Sequence, residues 1–152
     1  MLPVRLKNAA SKEGTAHRPE QRVEQVGRGV PASVDGAVRA VPREAFLPGT
    51  PLAEAYGDSP VVTHRDKDGV ATSSASAPGI VAAMLAQLDV RQGQRILEIG
   101  AGTGYNAALL AHLTGPAGRV TTIELDPGVA AEAKERCLCE SLFIARSGAA
   151  TP

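Results

Sequence analysis

Apolar residues recur along this chain with two different periods. In "SAPGIVAAMLAQL", residues 76–88, the residues Ile80, Val81, Met84, Leu85 and Leu88 fall on one helical stripe. That spacing predicts a helix packed on a core, with Ser76 as its cap and Pro78 in its first turn. "RILEI", residues 95–99, is a short branched run behind the polar turn "RQGQ" and predicts a buried strand. A glycine-rich loop follows, then a helix from Tyr105 to Leu113. "GPAG" at 115–118 is a turn, "RVTTIEL" at 119–125 a second strand, and Asp126–Pro127 opens a further helix ending near Arg136.

Upstream the pattern is weaker. In residues 31–49 a helix starting at Pro31 or Ser33 places Val34, Val38 and Val41 on one face, and Pro42 ends it or begins a new turn. Residues 48–78 are rich in Pro, Gly, Ser, Asp and Thr and predict a long ordered loop, with Thr72, Ser73 and Ser74 as its polar groups. Residues 1–30 are polar and predict a flexible or partly helical lead-in. The predicted organisation is this lead-in, a helical and loop segment over 31–90, a strand–helix unit over 91–136, and a tail over 137–152. The order helix, strand, glycine loop, helix, strand, helix is the first half of a doubly wound α/β sheet.

Composition narrows the partners. The 152 residues suit one modest domain. Sixteen basic and sixteen acidic residues cancel, which gives no support for nucleic acid or a membrane surface as partner. Aromatic residues are 3% of the chain and Trp is absent, so stacking platforms for single strands are not expected. No apolar run reaches the length of a membrane span, and the N-terminus lacks the apolar core of a secretory signal. Cys137 and Cys139, one residue apart, argue for a reducing cytoplasm rather than a disulfide framework. His17, His64 and His112 are scattered without metal-ligand spacing, and no metal is expected.

The chemistry concentrates in "EIGAGTG". A strand feeding a helix through glycines presents free N–H groups and a partial positive charge to a ligand. The dinucleotide fingerprint G-x-G-x-x-G would require glycine at 105, where Tyr stands. The pattern is instead E-x-G-x-G-x-G, formed by Glu98, Gly100, Gly102 and Gly104. Glu124 ends the next strand, where an α/β nucleotide site places the acid that grips ribose hydroxyls. Its charge would repel a 2′-phosphate. A cofactor with an unphosphorylated ribose, no pyrophosphate and a cationic end fits best. S-adenosylmethionine (SAM) has these properties, and Glu98 offsets its cationic end.

"ILEIGAGTGYNAALLA" followed by "GRVTTIELDP" resembles the first two cofactor motifs of class I SAM-dependent methyltransferases. "VPREAFLPG", "AYGDSP" and "TSSASAPGIVAAMLAQL" resemble, in order and spacing, the protein-L-isoaspartate O-methyltransferase family. The resemblance runs over residues 38–136. It implies a Rossmann-like methyltransferase fold, present in part, and a SAM-dependent carboxyl methyltransferase acting on isoaspartyl residues of proteins or peptides for repair. It also implies roles. Glu98, Gly100, Gly102 and Gly104 line the methionyl side of SAM, and Glu124 holds the ribose. Ser76, in the segment corresponding to the family's Thr-x-Ser-x-Pro element, sits near the transferring methyl and bonds the substrate carboxylate. Asp58, in "AYGDSP", belongs to the substrate side.

Residues 137–152, "CLCESLFIARSGAATP", do not continue the resemblance and have the look of a truncation or an altered reading frame. Two other readings follow: a related methyltransferase acting on a biosynthetic peptide or another carboxylate, and a fragment without catalytic competence.

Overall fold

The computed structural model describes residues 29–137 and the backbone of 142–146. The lead-in, His17 and Cys139 lie outside the described residues. Helix α1 spans Ala32–Ala40 and buries Val34, Ala37 and Val38, the helical spacing that its valines predict. Val41 is its C-cap, as expected before Pro42. A single 3-10 turn, Arg43–Phe46, then buries Arg43 and Phe46.

The segment expected to be one long loop contains three elements. Helix α2 is one turn, Leu52–Ala55. Strands β1, Val61–Arg65, and β2, Ala71–Ala75, form an antiparallel hairpin. Thr72, Ser73 and Ser74 are therefore strand residues, not loop groups. The hairpin hides from an apolar pattern because its burial is slight: only Val61 and Ala75 are buried in it. The turn carries the legible signal. Asp66 Oδ1 accepts the Asp68 and Val70 N–H groups, and Gly69 takes φ +82°.

Helix α3 spans Pro78–Leu88. Its N-cap is Ala77, with no side-chain cap bond, so the expected cap at Ser76 is not made. Its stripe is also rotated from expectation. Val81, Ala82 and Leu85 are buried, whereas Ile80, Met84 and Leu88 are about half exposed or more.

The remainder follows the sequence closely. Strand β3 is Arg95–Ile99, helix α4 Tyr105–Thr114, strand β4 Arg119–Glu124 and helix α5 Pro127–Arg136. Asp126 caps α5 by accepting the Gly128 and Val129 N–H groups on Oδ1 at 2.7 and 3.1 Å. A further strand, β5 at Leu142–Arg146, joins in the segment expected not to continue the pattern. The sheet order is β3-β4-β5, all parallel, with Ile96 opposite Val120 and Ile99 opposite Ile123.

One face of this sheet carries the core. Val120 and half-buried Ile96 pack with α1, α3 and α4 around Leu109, Leu110, Leu85 and Phe46. Each such buried side chain contributes roughly 1.5–3 kcal/mol. A smaller cluster of Leu47, Ala55, Val61 and Ala75 supports the hairpin. The opposite sheet face presents Leu97 and Ile99, 59% and 83% exposed.

Candidate functional site

The carboxyl ends of β3 and β4 lie side by side, which is where open α/β sheets bind ligands. The Gly100 N–H continues the ladder, donating to the Ile123 carbonyl at 2.7 Å. Beyond it the chain turns through three positive φ values, at Gly100, Gly102 and Gly104. The space around them differs. A Cβ on Gly100 would meet nothing within 4 Å, so the main chain there faces open room. A Cβ on Gly104 would stand 3.2 Å from the Ala133 carbonyl, so α5 occupies the space its missing side chain leaves. Gly102 lies beneath the end of the hairpin, with the Ser74 carbonyl 3.9 Å from its Cβ position.

Glu124, the last residue of β4, is turned toward this loop. Its Oε2 accepts the Gly102 N–H at 3.0 Å. Its Oε1 accepts the Leu125 and Asp126 N–H groups at 2.8 and 3.3 Å. The acid is thus held at the crevice by three backbone donors. Glu98 lies behind the loop, accepting from Asn106 Nδ2 on Oε1 at 2.7 Å and from Thr122 Oγ1 on Oε2 at 2.5 Å. Burial raises the Glu98 pKa, those two bonds draw it back, and the Glu124 charge adds to the rise. Neither carboxylate has an ion-pair partner among the described residues. A ligand with hydroxyl donors and a positive end meets both needs.

Ser76 is exposed beside the start of α3, and its carbonyl accepts from Arg43 Nη2 at 2.7 Å. Asp58 stands exposed in the bend between α2 and β1 and makes no hydrogen bond to Ser76 or to the glycine loop among the described residues. The end of the hairpin brings the Ser74 carbonyl over the glycine loop, and Ser76 follows two residues later, tied to Arg43.

Three residues of the site escaped the sequence reading. Asn106 and Thr122 are the partners of Glu98; Asn106 sits eight residues on, in the first turn of α4, and Thr122 is two residues before Glu124 on the same strand. Arg43 is the third. It is fully buried, although "VPREAF" carries no mark of a buried cation. Burial lowers its pKa, and the Tyr105 and Tyr56 rings act in the opposite sense. Tyr105 is itself pushed up to about 12 by burial. Its ring lies 5.5 Å from that of Phe46.

The other polar clusters are elsewhere. His64 Nε2 lies 3.1 Å from Glu132 Oε1, and Glu132 also pairs with Arg136. His112 is exposed on α4 and Cys137 is a buried cysteine outside any disulfide among the described residues. Among the described residues no group of three side chains is placed to hold a metal, and no helix is long and apolar enough to cross a membrane.

A family model, protein-L-isoaspartate(D-aspartate) O-methyltransferase, matches residues 21–142. The protein-L-isoaspartate O-methyltransferase of Ignicoccus hospitalis is 42% identical over 100 residues, 66% of this chain and 44% of that protein. The Methanothrix thermoacetophila protein of the same name is 38% identical over 110 residues, 72% of this chain and 50% of that protein. The chain therefore spans about half the length of the curated relatives it matches. A solved protein-L-isoaspartate O-methyltransferase superposes with a TM-score of 0.75 at 29% identity, over 85% of this chain and 42% of that one. A Plasmodium falciparum structure in complex with S-adenosyl-L-homocysteine superposes with a TM-score of 0.70 at 18% identity, over 86% and 63%, and shares the fold. The fold is the Rossmann-like one of SAM-dependent methyltransferases, present in part. The family match spans the helical segment, the hairpin and the glycine-loop unit alike, and the chain belongs to the protein-L-isoaspartate (D-aspartate) O-methyltransferase family.

Proposed function

We propose that the crevice at the ends of β3 and β4 binds SAM and that the chain takes part in methylating isoaspartyl carboxylates of damaged proteins. The observation that carries this reading is the Glu124 carboxylate held over the glycine loop through Gly102. Its two oxygens suit a pair of ribose hydroxyls, with one backbone donor exchanged for them. Gly100 leaves the main chain bare for the methionyl end, and Glu98 supplies negative charge behind it. Ser76 is free to donate its hydroxyl to the acceptor carboxylate, because the helix cap beside it is Ala77. In this reading Asp58, exposed in the bend before β1, belongs to the substrate side.

SAM supplies a methyl group on a sulfonium centre. An isoaspartyl carboxylate oxygen bonds to the methyl carbon as the carbon–sulfur bond breaks, and the electron pair stays on sulfur. No proton moves, because the acceptor, with a pKa near ~4, is already ionised at neutral pH. The protein's work is alignment and exclusion of water. The methyl ester leaves more readily than the acid, so the neighbouring amide closes a succinimide that reopens in part to normal aspartate. That is the repair outcome, and the cysteine usage suits a cytoplasmic setting for it.

Calorimetry with S-adenosyl-L-homocysteine (SAH) tests the first half. Saturable one-to-one binding is expected, and its absence overturns the reading. Methyl transfer to isoaspartyl against normal aspartyl peptides tests the acceptor. Equal transfer to both would favour a carboxyl methyltransferase of another specificity.

A further inference from the structure

Arg43 is 1% exposed and makes no ion pair among the described residues. Its Nε donates to the Ala55 carbonyl at 2.5 Å, and its Nη2 to the Ser76 and Ala75 carbonyls at 2.7 and 3.4 Å. The guanidinium carbon lies 5.1 Å from the centroid of the Tyr105 ring. Nη1 is buried with no partner. A buried cation without a counter-charge, and with an idle donor, is a poor device for stability. As a geometric device it is effective. One planar group ties the end of α2, the last residue of β2, Ser76, and the residue directly after Gly104.

We propose that Arg43 is the positioning residue of the acceptor side. Its fork fixes where the Ser76 hydroxyl stands relative to the Gly100–Gly104 loop, using Tyr105 as the common reference. The inference rests on the proposed function, since it takes Ser76 to meet the acceptor carboxylate. Lysine cannot replace the device, because an ammonium has neither the planar fork nor the stacking face.

A double-mutant cycle on the full chain tests it, with R43K, S76A and the double variant. SAH affinity and affinity for a short isoaspartyl peptide in the presence of SAH are both read by calorimetry. R43K is expected to weaken peptide binding about tenfold, to leave SAH affinity within about twofold, and to add nothing once Ser76 has become alanine. Additive losses, or equal losses of SAH and peptide, overturn the proposal. If the unaltered chain binds no SAH or no peptide, the proposed function falls, and amide exchange then decides the positioning claim. The Ile80 and Val81 N–H groups bond the Ala77 carbonyl beside Ser76. In R43K their exchange is expected to quicken about tenfold while that of β3 and β4 stays unchanged. No change at Ile80 and Val81, or an equal change throughout the sheet, overturns it.

Discussion

Glu124 reaches back across 22 residues to accept the backbone N–H of Gly102 at 3.0 Å. The acid and the loop are thus set against each other before any ligand arrives. Replacing Glu124 with alanine removes the ribose acceptor and frees the Gly102 donor. SAH affinity is expected to fall by about 2–3 kcal/mol, roughly 30- to 150-fold. Calorimetry reads it, and an unchanged dissociation constant would remove Glu124 from the site.

Gly100 and Gly104 should separate binding from folding. Both take positive φ, +92° and +84°. At Gly104 a methyl would also press on the Ala133 carbonyl of α5, whereas at Gly100 it enters empty space. Gly104→Ala should therefore cost about 1–3 kcal/mol of stability and lower the Tm more than Gly100→Ala. Gly100→Ala should weaken SAH binding the more per unit of stability lost. The reverse ranking would mean that the open room lies elsewhere.

Glu98 predicts the pH dependence. Its pKa is raised in the folded chain, chiefly by burial. The unfolded chain releases that proton first, so this residue costs nothing below the unfolded value of ~4.3. Stability falls as the pH climbs from there through the folded value, and the cost is constant above it. Glu98→Gln removes the slope. The new amide oxygen can keep the bond from Asn106 Nδ2, and the amide nitrogen can donate to Thr122 Oγ1. Urea midpoints should be higher for the variant near about pH 7 and equal to the parent near about pH 4, while SAH affinity drops with the lost charge. Equal midpoints at every pH would sink this reading.

How much of this was legible in the sequence depends on what each element buries. β3, β4, α4 and α5 announce themselves, because branched strands alternate with glycine and Asp-Pro punctuation and the core needs their side chains. The acid at the end of β4 is legible for the same reason: strand length alone places Glu124 beside the loop. The hairpin is nearly silent, since its only buried residues are Val61 and Ala75, and just the Asp66–Gly69 turn betrays it. On α3 the apolar stripe is wide enough to admit two rotations, and tertiary packing chose the one that exposes Ile80. In the tail the run "LFIA" carries the strand signal, in a segment without the family's motifs. Arg43 could not be found by any period, because its burial serves backbone carbonyls far apart in the chain.

The His64–Glu132 contact is a modest latch between β1 and α5. The His64 hydrogen bond holds the Glu132 pKa below its ordinary value against the opposing effect of burial, with Arg136 acting in the same sense as His64. With both side chains only partly buried, Glu132→Gln should cost less than about 1 kcal/mol at neutral pH. That contribution is lost as the pH falls through the depressed value. Thermal unfolding reads it, and a larger loss would show the hairpin leaning on this pair.

A parallel sheet is ordinarily sheltered on both sides. Here Leu97 and Ile99 leave one side wet. That flank will set how the chain behaves in a tube more than its fold does. Concentrated stocks will tend to stick through it, light scattering will rise steeply with concentration, and lysine at Ile99 will keep the solution clear at little cost in unfolding temperature.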